Sequence, residues 1–231
     1  MTTITKVNLE ILRKTNRERT AVVFADWLLW SAPQIKSILD IGCGDGIVAT
    51  RLPRESQYAG FDIGADIYPR ASSPNIEYVD DIGRLEQKLT KSEQADAVLL
   101  FDVLEHTPTF TGLFDIALTR SKRFVLVSLP NEANFRSAVR LLRDELPGAH
   151  GVRMVQYKSG HRHQWLVNIS QARKVLEEVS HRQGFHLSTM MHIANESPNA
   201  FKRTCLRLVT WYLPWRLRSD QFALLFEKLD A

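Results

Sequence analysis

The chain reads as an α/β protein: a doubly wound, mostly parallel sheet of seven strands, interrupted by two insertions. Three observations predict this. Strand-like and helix-like segments alternate between residues 16 and 129, the rhythm of successive strand–helix–strand units. The segments 37–41, 95–101 and 123–129 are nearly continuous apolar runs, as strands buried on both faces of a parallel sheet must be. The first of them ends in Asp40-Ile41 and opens into Gly42-Cys43-Gly44-Asp45-Gly46 ahead of a helix-like segment. A strand that turns into a helix through glycines brings bare backbone, and the free N–H groups of the helix start, up to a ligand.

Each element has its own signal. Residues 1–35 read as an N-terminal helical segment, because Ala21, Phe24, Ala25, Leu28 and Leu29 recur at helical spacing over 16–30 and Ser31-Ala32-Pro33 stops the helix. Strands are expected at 37–41, 58–63, 75–79, 95–101 and 123–129, with helices at 46–52, 64–70, 82–89 and 111–119. After Pro130 the rhythm breaks. Residues 131–165 form the first insertion, with a helix at 134–143 followed by a loop rich in Gly and His. A helix at 170–182 has Ser170 as its expected N-cap and Gly184 as its stop. The sixth and seventh strands are 185–193 and 221–228, and residues 196–219 between them form the second insertion. With no internal repeat, residues 1–231 are expected to form one domain.

Bulk properties narrow the function classes. No apolar run approaches the ~20 residues that span a bilayer, and the charged stretch 1–20 lacks the apolar core of a signal peptide, so a cytoplasmic location is expected. Cys43 and Cys205 give neither a disulfide framework nor metal-ligand spacing. A net charge of +4 is too mild to point to nucleic acid.

The glycine spacing separates two kinds of nucleotide cofactor. The pyrophosphate fingerprint G-x-G-x-x-G/A wants a small third residue. Bulky Ile47 stands there instead, and the third glycine, Gly46, comes one residue early, which disfavours a dinucleotide-dependent oxidoreductase. In an open α/β sheet the ligand lies at the carboxyl ends of the strands, and those ends carry suitable chemistry. Asp62, twenty positions after Gly42, offers a carboxylate to two ribose hydroxyls. Asp80-Asp81 closes the next strand, where an acid meets an adenine amine or caps the following helix, with Ile82 beside the ring or in the core. Asp40 faces either the glycine-loop backbone or a cofactor amine, and Cys43 reads as a small filler. Phe101-Asp102-Val103-Leu104-Glu105-His106 ends the strand at 95–101.

Taken in order, Asp40-x-Gly42-x-Gly44-x-Gly46, Asp62, Asp81 and Leu104-Glu105-His106 resemble the Rossmann-like class I S-adenosylmethionine-dependent methyltransferases. The match spans 36–129 and is nearest the subgroup with Leu-Glu-His after the fourth strand, which includes ubiquinone-pathway O-methyltransferases and many small-molecule and glycan methyltransferases. The resemblance implies S-adenosylmethionine as donor and S-adenosylhomocysteine as product. It implies that the loop 42–46 packs on the methionine part, that Asp62 holds the ribose, that Asp81 touches adenine, and that Asp40, Ile63, Ile82 and Phe101 complete the cofactor pocket. It also places an antiparallel seventh strand between the fifth and sixth, a slot that 221–228 fits. A cofactor-binding partner subunit without catalysis is the non-enzymatic alternative, and a nucleic-acid methyltransferase is the other.

Methyl transfer from a sulfonium is a direct displacement, so the protein has to align the acceptor and, for a hydroxyl, remove a proton. His106 is the first candidate base, since it follows a strand at the cofactor edge. His161 and His163, in the insertion expected to lie over that edge as an acceptor lid, are the alternatives. The pair plus His150 invites a metal reading, but spacing places no third convergent ligand, so no metal is expected. Asn131 and Glu132 are acceptor contacts or helix caps. The expected acceptor is a small molecule, a sugar or a lipid-linked precursor. The last possibility arises from 201–218, where Lys202, Arg203, Arg207, Arg216 and Arg218 alternate with Trp211, Tyr212 and Trp215. Such a segment docks by its apolar face, sits peripherally at a membrane surface, or offers Arg beside Trp and Tyr to a nucleic acid.

Overall fold

The computed structural model describes residues 7–14, 19–63, 75–146, 150, 162–195 and 212–229. Its strands are β1 (Asn8–Lys14), β2 (Ser37–Ile41), β3 (Gln57–Ile63), β4 (Ile76–Val79), β5 (Ala95–Phe101), β6 (Ser121–Pro130), β7 (Phe185–Asn195) and β8 (Gln221–Lys228). They join in one sheet in the order β1-β7-β8-β6-β5-β2-β3-β4. Every pairing is parallel except those of β8, which runs antiparallel to both β6 and β7. The helices are α1 (Thr20–Ser31), α2 (Ile82–Lys91), α3 (Gly112–Arg120), α4 (Phe135–Leu141), α5 (Ile169–Arg182) and α6 (Trp215–Arg218).

The apolar runs have the expected cause. Along β5, Val98 and Leu100 face a core built with Leu85 and Leu89 of α2, Phe114 and Leu118 of α3, and Leu176 of α5. Ala97, Leu99 and Phe101 face the opposite core, built with Phe24, Ala25 and Leu28 of α1. Both faces of the strand are dry, so polar alternation would put unpaired groups into one core or the other. β8 behaves alike: Phe222, Leu224 and Phe226 enter the first core, Ala223 and Leu225 the second. Phe226, fully buried and 5.0 Å from the Phe114 ring, anchors β8. Truncating it to alanine should cost about 3–5 kcal/mol.

Four local expectations are corrected. The sheet has eight strands, not seven, because residues 8–14, read within a helical segment, pair in parallel with β7 from Asn8↔Thr189 to Lys14↔Asn195. This edge strand leaves Leu9 and Ile11 exposed, so the period-2 burial that marks a strand is absent and its partner lies some 180 positions away in sequence. The helix expected at 46–52 is a short 3-10 turn, Ile47–Arg51. The N-cap of α5 is Asn168, whose side chain accepts from the Gln171 N–H at 2.9 Å, and Ser170 already lies inside the helix. At 134–143 the helix is shorter, Phe135–Leu141, with Asn134 as its cap. The helix expected at 64–70 lies outside the described residues, as do His161 and the segment 196–211.

Candidate active site

Strands β5, β2 and β3 are parallel neighbours, so the loops leaving their carboxyl ends meet at one edge. The loop after β2 carries the glycines. Gly42, Gly44 and Gly46 all adopt the left-handed region, with φ of 73°, 59° and 71°, where a side chain is strained. A Cβ on Gly42 would also overlap Val103 Cγ2, and one on Gly46 would overlap Ile76 Cδ1. Glycine is therefore favoured twice over at these two positions, by conformation and by the close approach of a neighbouring side chain.

Asp62, at the end of β3, is tied to that loop: its Oδ2 accepts from the Gly44 N–H at 2.5 Å and its Oδ1 from the Ile63 N–H at 2.6 Å. A carboxylate has about four acceptor positions, so backbone bonds at each oxygen leave it chemically able to accept ribose hydroxyls as well. Tyr78 clamps the same loop by donating to the Gly44 carbonyl at 3.0 Å. Asp40 is buried beneath it and accepts from the Tyr58 hydroxyl at 2.9 Å, a partner not foreseen from sequence. Burial, opposed by the Tyr58 bond and aided by the charge of Asp62, lifts its carboxyl to about 7. Cys43 is buried, and its thiol is pushed far up by burial and by Asp40, which makes it the inert filler expected.

Asp81 caps α2, accepting from the Arg84 N–H at 2.8 Å. Its exposed neighbour Asp80 forms an ion pair with Arg84. Ile82 and Ile63 are half-buried against the core, and Phe101 packs on Phe24 with ring centroids 6.1 Å apart.

The third loop, after β5, is the most heavily built. Asp102 adopts φ 54°, unusual outside glycine, and is held there by Ser128 Oγ at 3.0 Å and Gln221 Nε2 at 2.8 Å. Gln221 accepts in turn from Thr20 at 2.6 Å, and Thr20 from Lys14 Nζ at 2.7 Å, so α1 and β1 are linked to this edge. A 3-10 turn, Leu104–His106, follows. Glu105 is 1% exposed and its Oε2 has no hydrogen-bond partner. Burial, with the charge of Asp102, keeps this carboxyl well above the ordinary range.

The described end of the first insertion folds onto this turn. The Gln164 N–H donates to the Glu105 carbonyl at 2.7 Å, Gln164 Nε2 to the His106 carbonyl at 2.8 Å, and Trp165 Nε1 to the Thr107 carbonyl at 2.8 Å. His163 is thereby brought to His106, with ring centroids 4.8 Å apart. Glu132 stands behind them. Its Oε1 meets His163 Nδ1 at 2.9 Å and His150 Nε2 at 2.7 Å, and its Oε2 accepts from the Val167 N–H at 2.9 Å. Burial alone would raise its pKa, but the bonds from His163 and Val167 outweigh it and hold the carboxylate below the usual range. Glu132 caps no helix, the cap of α4 being Asn134. Asn131 is structural, donating to the carbonyls of Arg216 and Ser219 at 2.7 Å each. In the second insertion, Trp215 packs against the core with its ring tilted on His192, centroids 3.8 Å apart, while Tyr212, the one described residue of the expected apolar face, is exposed. Among the described residues no helix is long and apolar enough to cross a membrane.

Comparison with known proteins shows the family and the fold. The family model described as a methyltransferase domain matches residues 12–195. The ubiquinone biosynthesis O-methyltransferase of Serratia proteamaculans is 31% identical over 80 residues, covering 32% of this chain and only 33% of that enzyme. Two solved structures share the fold. Magnesium protoporphyrin IX methyltransferase from Synechocystis, crystallised with S-adenosylhomocysteine, has a TM-score of 0.56 at 14% identity, covering 91% of this chain and 82% of its own. A SAM-dependent methyltransferase from Archaeoglobus fulgidus has a TM-score of 0.58 at 14% identity, covering 89% and 93%.

Proposed function

Because the chain belongs to this family of methyltransferase domains, we propose that it moves the methyl group of S-adenosylmethionine to a hydroxyl oxygen of a small molecule, a sugar or a lipid-linked precursor. One observation carries the reading: the left-handed glycine loop locked to Asp62 shares a sheet edge with an acid–imidazole cluster at the start of the next loop. The donor supplies an already activated methyl on a sulfonium. Gly42, Gly44 and Gly46 bring backbone to it, Asp62 takes the ribose hydroxyls, and Asp81 is proposed to meet the adenine with the oxygen capacity its cap bond leaves. Asp102, held by Ser128 and Gln221, stands at the same edge.

The acceptor oxygen attacks the methyl carbon as the carbon–sulfur bond breaks. The sulfur takes the bonding pair and becomes a neutral thioether, and the hydroxyl proton leaves toward the His106–His163 pair. His106 donates from Nδ1 to the Arg162 carbonyl at 3.1 Å, which puts the ring lone pair on Nε2. The likeness to an O-methyltransferase and the presence of imidazoles at this edge support a hydroxyl acceptor. The test is incubation with methyl-labelled donor and whole cell extract, followed by separation of lipid, small-molecule, protein and nucleic-acid fractions. Label confined to one of the first two, and lost in Asp62→Ala, is the expected result. Label in nucleic acid, or none despite donor binding, refutes it.

A further inference from the structure

We infer that Lys14, Arg19, Thr20 and Gln221 are positioning residues for donor binding, holding the glycine loop and the loop after β5 at one fixed separation. One arm of this clamp is a chain of hydrogen bonds. Lys14 Nζ donates to Thr20 Oγ1 at 2.7 Å, Thr20 Oγ1 to Gln221 Oε1 at 2.6 Å, and Gln221 Nε2 to Asp102 Oδ2 at 2.8 Å. Its direction is forced. A carboxylate can only accept, so the Gln221 amide turns its NH2 to Asp102 and its carbonyl to Thr20, and the single Thr20 proton then goes to Gln221. A cation stands at one end and a carboxylate at the other, and each bond between them polarises the next. The other arm reaches the glycine loop: Arg19 Nη1 lies 2.7 Å from both carboxylate oxygens of Asp45.

A second, independent observation shows that these residues serve the edge and not their own helix. Arg19 is the N-cap of α1 and makes no side-chain cap bond. Ser, Thr, Asp or Asn would satisfy a free N–H there, and a cation at a helix N-terminus has the wrong sign for the dipole. Thr20 has a hydroxyl, is buried, and sends that hydroxyl to Gln221 instead. Both residues break the local rule for starting a helix, and each gains a contact that leads to one of the two loops. Asp102 adds to this. Its φ of 54° persists only where the surroundings over-determine it, and Ser128 from β6 and Gln221 from β8 do so. α1 is a stiff frame for both arms, since Asp26 holds Arg51 through two bonds of 2.8 Å and Phe24 and Leu28 are fully buried. A donor lying between the two loops needs them in register, and fixing them in the free protein removes the cost of ordering them on binding. The inference rests on the donor site proposed above and is independent of the acceptor.

The test titrates the full-length chain with S-adenosylhomocysteine in a calorimeter and follows thermal unfolding alongside. Thr20→Val keeps the shape but removes the hydroxyl, and should weaken binding about three- to tenfold. Thr20→Ser should restore it. Arg19→Ser should weaken binding about threefold yet melt no lower than the parent chain, because serine is the better cap and an exposed ion pair adds little stability. A merely structural role does not give these opposite signs. Because the two arms share one frame, Thr20→Val combined with Arg19→Ser should lose less than the product of the two single losses. Arg182→Ala, which removes an exposed pair on α5, should leave affinity unchanged. Parental affinity in both Thr20→Val and Arg19→Ser, losses that multiply in the double variant, or losses that follow the melting temperature throughout overturn the clamp and leave the donor site standing. A parent chain that binds no S-adenosylhomocysteine overturns both.

Discussion

Replacing Gly42 by alanine puts two separable penalties on one atom. The left-handed backbone at φ 73° costs an L-residue about 1–2 kcal/mol. The new Cβ also overlaps Val103 Cγ2, and crowding of that kind in a packed region costs about 1–3 kcal/mol more. Gly184 supplies the control: its φ is 75°, but a Cβ there meets nothing within 4 Å. Gly184→Ala should therefore carry only the backbone penalty, and Gly42→Ala both. The difference of about 1–3 kcal/mol should appear as a melting temperature lower by about 2–12 °C, at 2–4 °C per kcal/mol for a chain of this size. Adding Val103→Ala to Gly42→Ala removes the overlap, so the double-mutant cycle should show a favourable coupling of about the same 1–3 kcal/mol. Val103 leads directly into the turn that carries His106, so methyl transfer should fall in the single variant and recover in the double. Thermal unfolding followed by circular dichroism, with turnover measured in parallel, decides the matter. Equal melting of Gly42→Ala and Gly184→Ala, or no coupling with Val103→Ala, would refute the idea that the two loops are fitted to each other.

Three further outcomes are expected. Asp62→Asn should weaken S-adenosylhomocysteine binding in calorimetry by at least about 1.5 kcal/mol, through loss of a charged acceptor; unchanged affinity removes Asp62 from the ribose site. Between pH 3.8, where an unfolded aspartate ionises, and about 7, where Asp40 does so in the fold, the native state holds the extra proton. Stability therefore falls as pH rises through that window, by an amount on the order of 4 kcal/mol. Asp40→Asn should flatten that slope in denaturant titrations, and a slope identical to the parent's assigns it elsewhere. Asn168→Ala should cost about 1 kcal/mol as a lost cap and Ser170→Ala much less, with the opposite ranking restoring Ser170 as the start of α5.

What the sequence discloses here depends on how local the cause is. The strands buried on both faces announce themselves, because dryness on each side acts on every residue in turn, as along β5. The glycine loop is legible for a similar reason: three left-handed backbones leave no other residue type at ease. β1 is illegible, since its stability comes from main-chain pairing with β7 and not from its own side-chain pattern. The acid–imidazole cluster is scattered over positions 105, 106, 132, 150 and 163, supplied by the turn after β5, the loop after β6 and the insertion. No spacing rule joins them, so only the fold shows that Glu105 and Glu132 stand beside the histidines. The Asp40–Tyr58 bond was hidden likewise, by the register that sets β2 beside β3.

The position of β8 governs how this chain can be made. Residues 221–228 lie between β6 and β7, and they alone join the strands 37–130 to the β1–β7 pair. On a translating ribosome, the exposed edge of β6 must wait for some ninety further residues to emerge before it finds its partner. Until then the apolar strand Phe124–Leu129 offers unpaired N–H and C=O groups to any extended segment nearby, the usual setting for aggregation or chaperone capture. Synthesis that stalls before Gln221 leaves the glycine loop and its neighbours able to pair but keeps Gln221 from reaching Asp102. The nascent chain would then possess its glycine-loop edge before the residue that steadies the loop after β5 arrives.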